Sequence, residues 1–128
     1  MIARILAAMV VIAPTSAGAD DMFFGTWKGE VVDPGSDAPY PMTISIFEKN
    51  GRIFQHTKYG APLHCAGGGV LIERTSGALH LTETILIKRD ICADGTLRVY
   101  LNGDDTLIWE WFYLNGDFAA RSDLERSE

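Results

Sequence analysis

The side chain best placed to do chemistry in this sequence is Glu83. It lies within Leu79-His80-Leu81-Thr82-Glu83-Thr84-Ile85-Leu86-Ile87. Successive side chains of a strand point to opposite faces. Leu79, Leu81, Glu83, Ile85 and Ile87 therefore share one apolar, inward face, with a carboxylate in its middle. Burying that carboxylate unpaired is costly, so it calls for Arg74, Arg98, a tyrosine hydroxyl or a ligand. Two roles follow: a polar anchor deep in a cavity, or one half of an internal salt bridge or hydrogen bond. General acid–base catalysis needs a second group held close by, and the sequence offers none.

Aromatic residues supply the next signal. Leu107, Trp109, Trp111 and Tyr113 alternate along one segment and share a face, and Trp27 sits on the inward face of the first strand. Trp27, Trp109, Trp111 and Tyr113, with Glu83, form the candidate ligand-binding set. They suit an aromatic pocket for an apolar or sugar ligand. Equally, they suit plain core filling, because a small barrel is just wide enough for its own side chains. The three histidines, His56, His64 and His80, lack metal-ligand spacing. No metal and no cofactor is expected. His64 beside Cys65 does not make a nucleophile pair, since neighbours on a strand point to opposite faces. Gly67-Gly68-Gly69 lacks the Lys-Ser/Thr and the helix of a phosphate loop; a bulge or a close backbone approach explains it.

What positions these residues is a run of short strands. Alternating segments at about 24–32, 40–47, 52–59, 65–74, 78–87, 96–101, 107–113 and 118–126 are separated by turn chemistry, including Asp33-Pro34-Gly35, Asn50-Gly51, Ser76-Gly77 and Asn115-Gly116. The links are short, so sequential strands are antiparallel neighbours. The expected fold is all-β: an eight-stranded antiparallel up-and-down barrel, with a two-sheet sandwich as the alternative. Two-residue hairpin loops place Phe47 opposite Phe54 and position 65 opposite position 88. Tyr100, Ile108 and Phe112 are expected on the outer face. Phe47, Phe54 and Phe112 there are a possible self-association surface, or cross-strand pairs that stabilise the sheet.

The first 19 residues carry a different pattern. Arg4 precedes an apolar run from Ile5 to Ala13, followed by Pro14-Thr15-Ser16 and Ala17-Gly18-Ala19. This reads as a signal peptide cleaved after Ala19, the run being far short of the roughly 20 residues of a membrane span. Residues 20–128 then form a single domain. Without Arg4 it has 10 basic against 17 acidic side chains, a net charge of −7. Such acidity disfavours nucleic acid and anionic membrane surfaces as partners. The expected location is extracytoplasmic, periplasmic or secreted, with no membrane insertion after cleavage. There Cys65 and Cys92 read as a disulfide.

Gly25-Thr26-Trp27 at the start of the first strand resembles the lipocalin, avidin and fatty-acid-binding group of calyx proteins. That resemblance implies a tryptophan closing one barrel end with a late-strand arginine stacked on it, Arg126 or alternatively Arg121. A longer pattern runs through Gly25-Thr26-Trp27-x-Gly29, Tyr40-Pro41, Tyr59, Cys65-x-Gly67, Glu83, Cys92 and Gly95-x-Leu97. It resembles a small extracytoplasmic bacterial β-domain that occurs alone or appended to larger proteins. Gly69 stands where that pattern has a larger apolar residue. The resemblance implies a non-enzymatic binding or sensing module with a small interior pocket, taking an unknown small molecule. An alternative is a module that binds an exported protein, such as an inhibitor of an exported hydrolase.

Overall fold

A computed structural model describes residues 20–127. The expected leader lies outside the described residues. Eight strands follow in chain order: β1 Gly25–Val31, β2 Tyr40–Lys49, β3 Arg52–Tyr59, β4 Ala66–Thr75, β5 Ala78–Ile87, β6 Gly95–Leu101, β7 Thr106–Tyr113 and β8 Phe118–Arg126. Each pairs antiparallel with the next, and β1 pairs with β8 through Trp27↔Arg126 and Lys28↔Glu125. The sheet is thus a closed up-and-down barrel, and the sandwich alternative falls. Closure leaves no free edge.

Local sequence explains the register. Asn50 and Gly51 both have positive φ, at 54° and 80°, as a tight hairpin turn demands. Phe47 accordingly faces Phe54, their rings stacked with centroids 5.8 Å apart. Position 65 falls beside position 88 as expected, but by way of two compensating irregularities. The β4–β5 register slips between Leu71 and Glu73 and recovers between Ala66 and Gly67. The second slip turns Ile87 outward, where it is 56% exposed. Ile87 therefore leaves the inward row expected for Leu79, Leu81, Glu83 and Ile85. Gly69 owes its identity to the same close pairing: a Cβ there would collide with the Thr82 carbonyl.

The two barrel ends differ. At one end, a 3-10 turn at Asp21–Phe23 plugs the opening and buries Phe23. Trp27 is fully buried beneath it and donates its Nε1–H to the Phe23 carbonyl at 2.9 Å. Arg126 lies over the Trp27 ring at 4.1 Å and donates to the carbonyls of Phe24 and Met22. Arg121, the alternative, instead pairs with Glu110 and Asp123 on the outer face. Arg74 bridges to Asp20 at 2.6 Å beside the plug. Above this closed end Met42, Ile44, Leu79, Leu81, Val99 and Leu107 fill the interior.

The outer aromatics do not form one surface. Phe112 packs edge-to-face against Phe118, while Phe47 and Phe54 sit on β2 and β3, with β8 and β1 between them and β7. Ile108 points outward yet is only 3% exposed. Tyr100 lies opposite it and is itself covered by the Arg98 guanidinium at 4.9 Å. Phe47 with Phe54 and Phe112 with Phe118 are thus two separate aromatic pairs, with β1 between them.

Candidate functional site

The other end of the barrel is where β1, β3, β5 and β7 finish. It holds a half-open cavity of about 200 Å³. Glu83 stands in its wall and is only 2% exposed. The neighbouring strands bring two donors to it. Tyr59, the last residue of β3, donates its hydroxyl to both carboxyl oxygens, at 2.9 Å to Oε1 and 3.0 Å to Oε2. Trp111, near the end of β7, donates Nε1–H to Oε1 at 2.7 Å. Of the partners expected for Glu83, the tyrosine hydroxyl is the one found. Arg74 is engaged by Asp20 and Arg98 by Glu110.

The electrostatics follow from that geometry. Burial raises the Glu83 carboxyl from its usual 4.5 to about 7, against the opposing pull of the Trp111 and Tyr59 hydrogen bonds. Removal from water is the stronger effect because no cationic side chain lines the cavity. Tyr59 is raised well above the usual phenol range, first by burial and then by the Glu83 charge beside it. Tyr40 is raised likewise, by burial and by Asp33, which accepts from its hydroxyl at 3.3 Å. At neutral pH both phenols are donors, and neither is a base.

Aromatic rings form most of the remaining wall. Tyr40 meets Tyr59 edge-to-face with centroids 6.2 Å apart, and Tyr59 meets Trp109 at 6.3 Å. Trp111 meets Tyr113 at 5.2 Å with the planes 84° apart. Two glycines make room for this arrangement. Gly95 pairs with both Glu83 and Tyr113, and a Cβ there would run into the Trp111 ring. A Cβ at Gly67 would lie 3.1 Å from Glu83 Cγ. The Cys65–Cys92 disulfide ties the β3–β4 and β5–β6 connections together at this end, and Cys92 lines the cavity.

Of the five residues proposed from sequence as a ligand-binding set, the structure brings four together: Glu83, Trp109, Trp111 and Tyr113 all line the cavity. Trp27 does not. It belongs to the plugged end, because the inward face of β1 reaches that end at residue 27. Missed in the sequence as cavity residues were Tyr40, Tyr59 and Asp33. The alternation Ile53, Gln55, Thr57, Tyr59 along β3 carried the signal for Tyr59, since all four are buried. Among the described residues, no three His, Cys, Asp or Glu side chains are placed to hold a metal ion, and no helix is long and apolar enough to cross a membrane.

The rim carries exposed apolar side chains. Val32, Leu86, Ile91, Leu114 and Phe118 are each more than half exposed there or on the strand ends beside it, with half-exposed Tyr113 at the mouth. The disulfide is the kind of cross-link that an oxidising, extracytoplasmic compartment permits.

The backbone is similar to that of a redesigned β-barrel, with a TM-score of 0.69 and 12% identity, over 86% of this chain and 96% of the other. It is also similar to a protein of unknown function of the DUF3598 family from Nostoc punctiforme PCC 73102, with a TM-score of 0.52 and 16% identity. That alignment takes in 84% of this chain and 48% of the other, so the chain spans about half the length of that protein. At such identities the likeness is one of fold. No protein-family model and no curated protein matches the chain.

Proposed function

We propose that this barrel is a non-enzymatic, extracytoplasmic binding module whose ligand is a small molecule held in the half-open end. The observation that carries the reading is Glu83: a buried carboxylate in a cavity wall, held by Tyr59 and Trp111 and open to further contact. Small-molecule sites combine apolar and aromatic walls with a few placed polar groups, and this cavity has that composition. At about 200 Å³ it is smaller than the roughly 300–1,000 Å³ of drug-sized sites, so the occupant is small. Catalysis is disfavoured by the company Glu83 keeps. Its direct partners are a phenol whose pKa is raised and an indole, neither of which takes up a proton at neutral pH.

A second reading has its own support. Exposed apolar side chains around the mouth suit contact with an exported protein. Native mass spectrometry of protein purified from its own source separates the two. A co-purifying small molecule that is lost in Ala120→Leu, which fills the cavity opposite Trp111, favours the ligand reading. A protein adduct that survives the same substitution refutes it in favour of the rim.

A further inference from the structure

Resting on the binding reading above, we infer that the ligand is a small organic ammonium ion, seated against Glu83 within the aromatic walls. Charge sorts the candidates first. The charged residues lining the cavity are Asp33 and Glu83, both acidic, with no lysine, arginine or histidine among the lining residues. An anion entering this site meets like charge and no cationic partner. A neutral ligand leaves the ionised form of Glu83 without a charged partner. A cation supplies what the wall lacks.

Ring geometry sorts them further. Five aromatic residues line the cavity: Tyr40, Tyr59, Trp109, Trp111 and Tyr113. Their pairwise contacts are edge-to-face, with interplanar angles of 73°, 62° and 84°. Rings set at steep angles wall a space from several sides, where a flat stack would cover only one. The π faces of tryptophan and tyrosine attract a desolvated cation, and aromatic walls are a recurring way of holding alkylated ammonium groups. Carboxylate geometry is compatible. Trp111 and Tyr59 both reach Oε1, while Oε2 receives only the longer of Tyr59's two contacts, leaving acceptor capacity for an N–H donor or a close alkylammonium.

The proton balance is explicit. A cation beside Glu83 favours its ionised form, so binding to the protonated fraction releases that proton to solvent. The groups facing Glu83 are Tyr59 from β3 and Trp111 from β7. Farther off, Tyr40 with Asp33 occupies the β1–β2 side, and Asp94, paired with Arg89, the β5–β6 connection. Of these, Tyr59 and Tyr40 are raised and Asp94 is lowered, while burial brings Glu83 to about 7.

The test uses choline and its uncharged isostere 3,3-dimethylbutan-1-ol, titrated into the leaderless protein with the Trp111 indole N–H resonance and tryptophan fluorescence as readouts. Choline carries a fixed charge, so any pH effect belongs to the protein. Choline is expected to bind at least about tenfold more tightly than the isostere, with affinity rising from pH 6 to pH 8. Glu83→Gln should lose about tenfold or more of the choline affinity and much less of the isostere's, and Asp33→Asn about threefold of the choline affinity. If Glu83→Gln does not fold, the charge–isostere comparison and the Asp33 variant still decide. Equal affinity of the two probes, or choline binding independent of pH and of Asp33, overturns the cation inference and leaves a pocket for neutral ligands. Failure of both probes, and of acetate, to move the Trp111 resonance overturns the binding reading as well.

Discussion

Replacing Glu83 by glutamine removes the ionisable group and keeps an acceptor oxygen for Tyr59 and Trp111. In the native barrel the carboxyl titrates near 7, against 4.5 in its ordinary setting. Folding therefore tightens the hold on the proton. Stability from this group is full below pH 4.5, declines as the pH rises through 7, and is flat above that. A displacement from 4.5 to about 7 corresponds to about 3 kcal/mol. The wild type should accordingly lose about 3 kcal/mol of unfolding free energy between pH 4.5 and pH 8 that Glu83→Gln retains, on top of whatever pH dependence the two share. Urea denaturation at pH 5, 6, 7 and 8, with the difference between the proteins plotted against pH, isolates Glu83 because every other group is common to both. The variant should overtake the wild type at alkaline pH. Parallel curves would refute the assignment of a buried, proton-retaining carboxyl. An advantage of the variant over the wild type that grows toward low pH would refute its sign and point to an unrecognised cation beside Glu83.

Three further outcomes follow from the same structure. Cys65→Ser opens a loop of 27 residues' separation, for which the chain-entropy estimate is about 3–4 kcal/mol; thermal unfolding should shift down by at least about 10 °C, and an unchanged melting temperature would show that the bridge does not stabilise the native state. Gly95→Ala places a methyl group against the Trp111 ring and the Phe112 carbonyl; overpacking of this kind costs about 1–3 kcal/mol, and the Trp111 indole resonance should move, whereas a silent spectrum would mean that Gly95 does not set the position of Trp111. Arg126→Lys keeps the charge but loses the flat fork that covers Trp27 and holds the Phe24 and Met22 carbonyls; it should destabilise by about 1–2 kcal/mol and raise hydrogen exchange at Phe24 and Trp27, while full rescue by lysine would show that charge alone matters.

Much of the barrel was legible because its signals are local. Alternation along β5 places Glu83 among leucines, Asn50-Gly51 specifies a tight turn, and the periodic β7 segment puts Trp109, Trp111 and Tyr113 on one side. These depend on residues within a few positions of each other. Where β4 and β5 slip in register, local reading fails. A single extra residue turns the following side chains to the other face, and Ile87 was misplaced for that reason. The site was only half legible for a related cause. Alternation says that Trp27 points inward, but not toward which end of the barrel the space beneath it opens.

By itself, then, the amino-acid sequence determined the strand count, the hairpin order, the inward carboxylate and the arginine available to cover Trp27. It also placed two cysteines in neighbouring connections. Tertiary structure alone decided that Tyr59 and Trp111, 52 positions apart in the chain, meet on one carboxylate. It decided too that Trp27 and the 3-10 turn plug one end while the aromatic set walls the other. The physical reason is closure. Alternation fixes on which side of the sheet a side chain stands, but which side chains share a layer inside the barrel depends on the register of all eight strands at once.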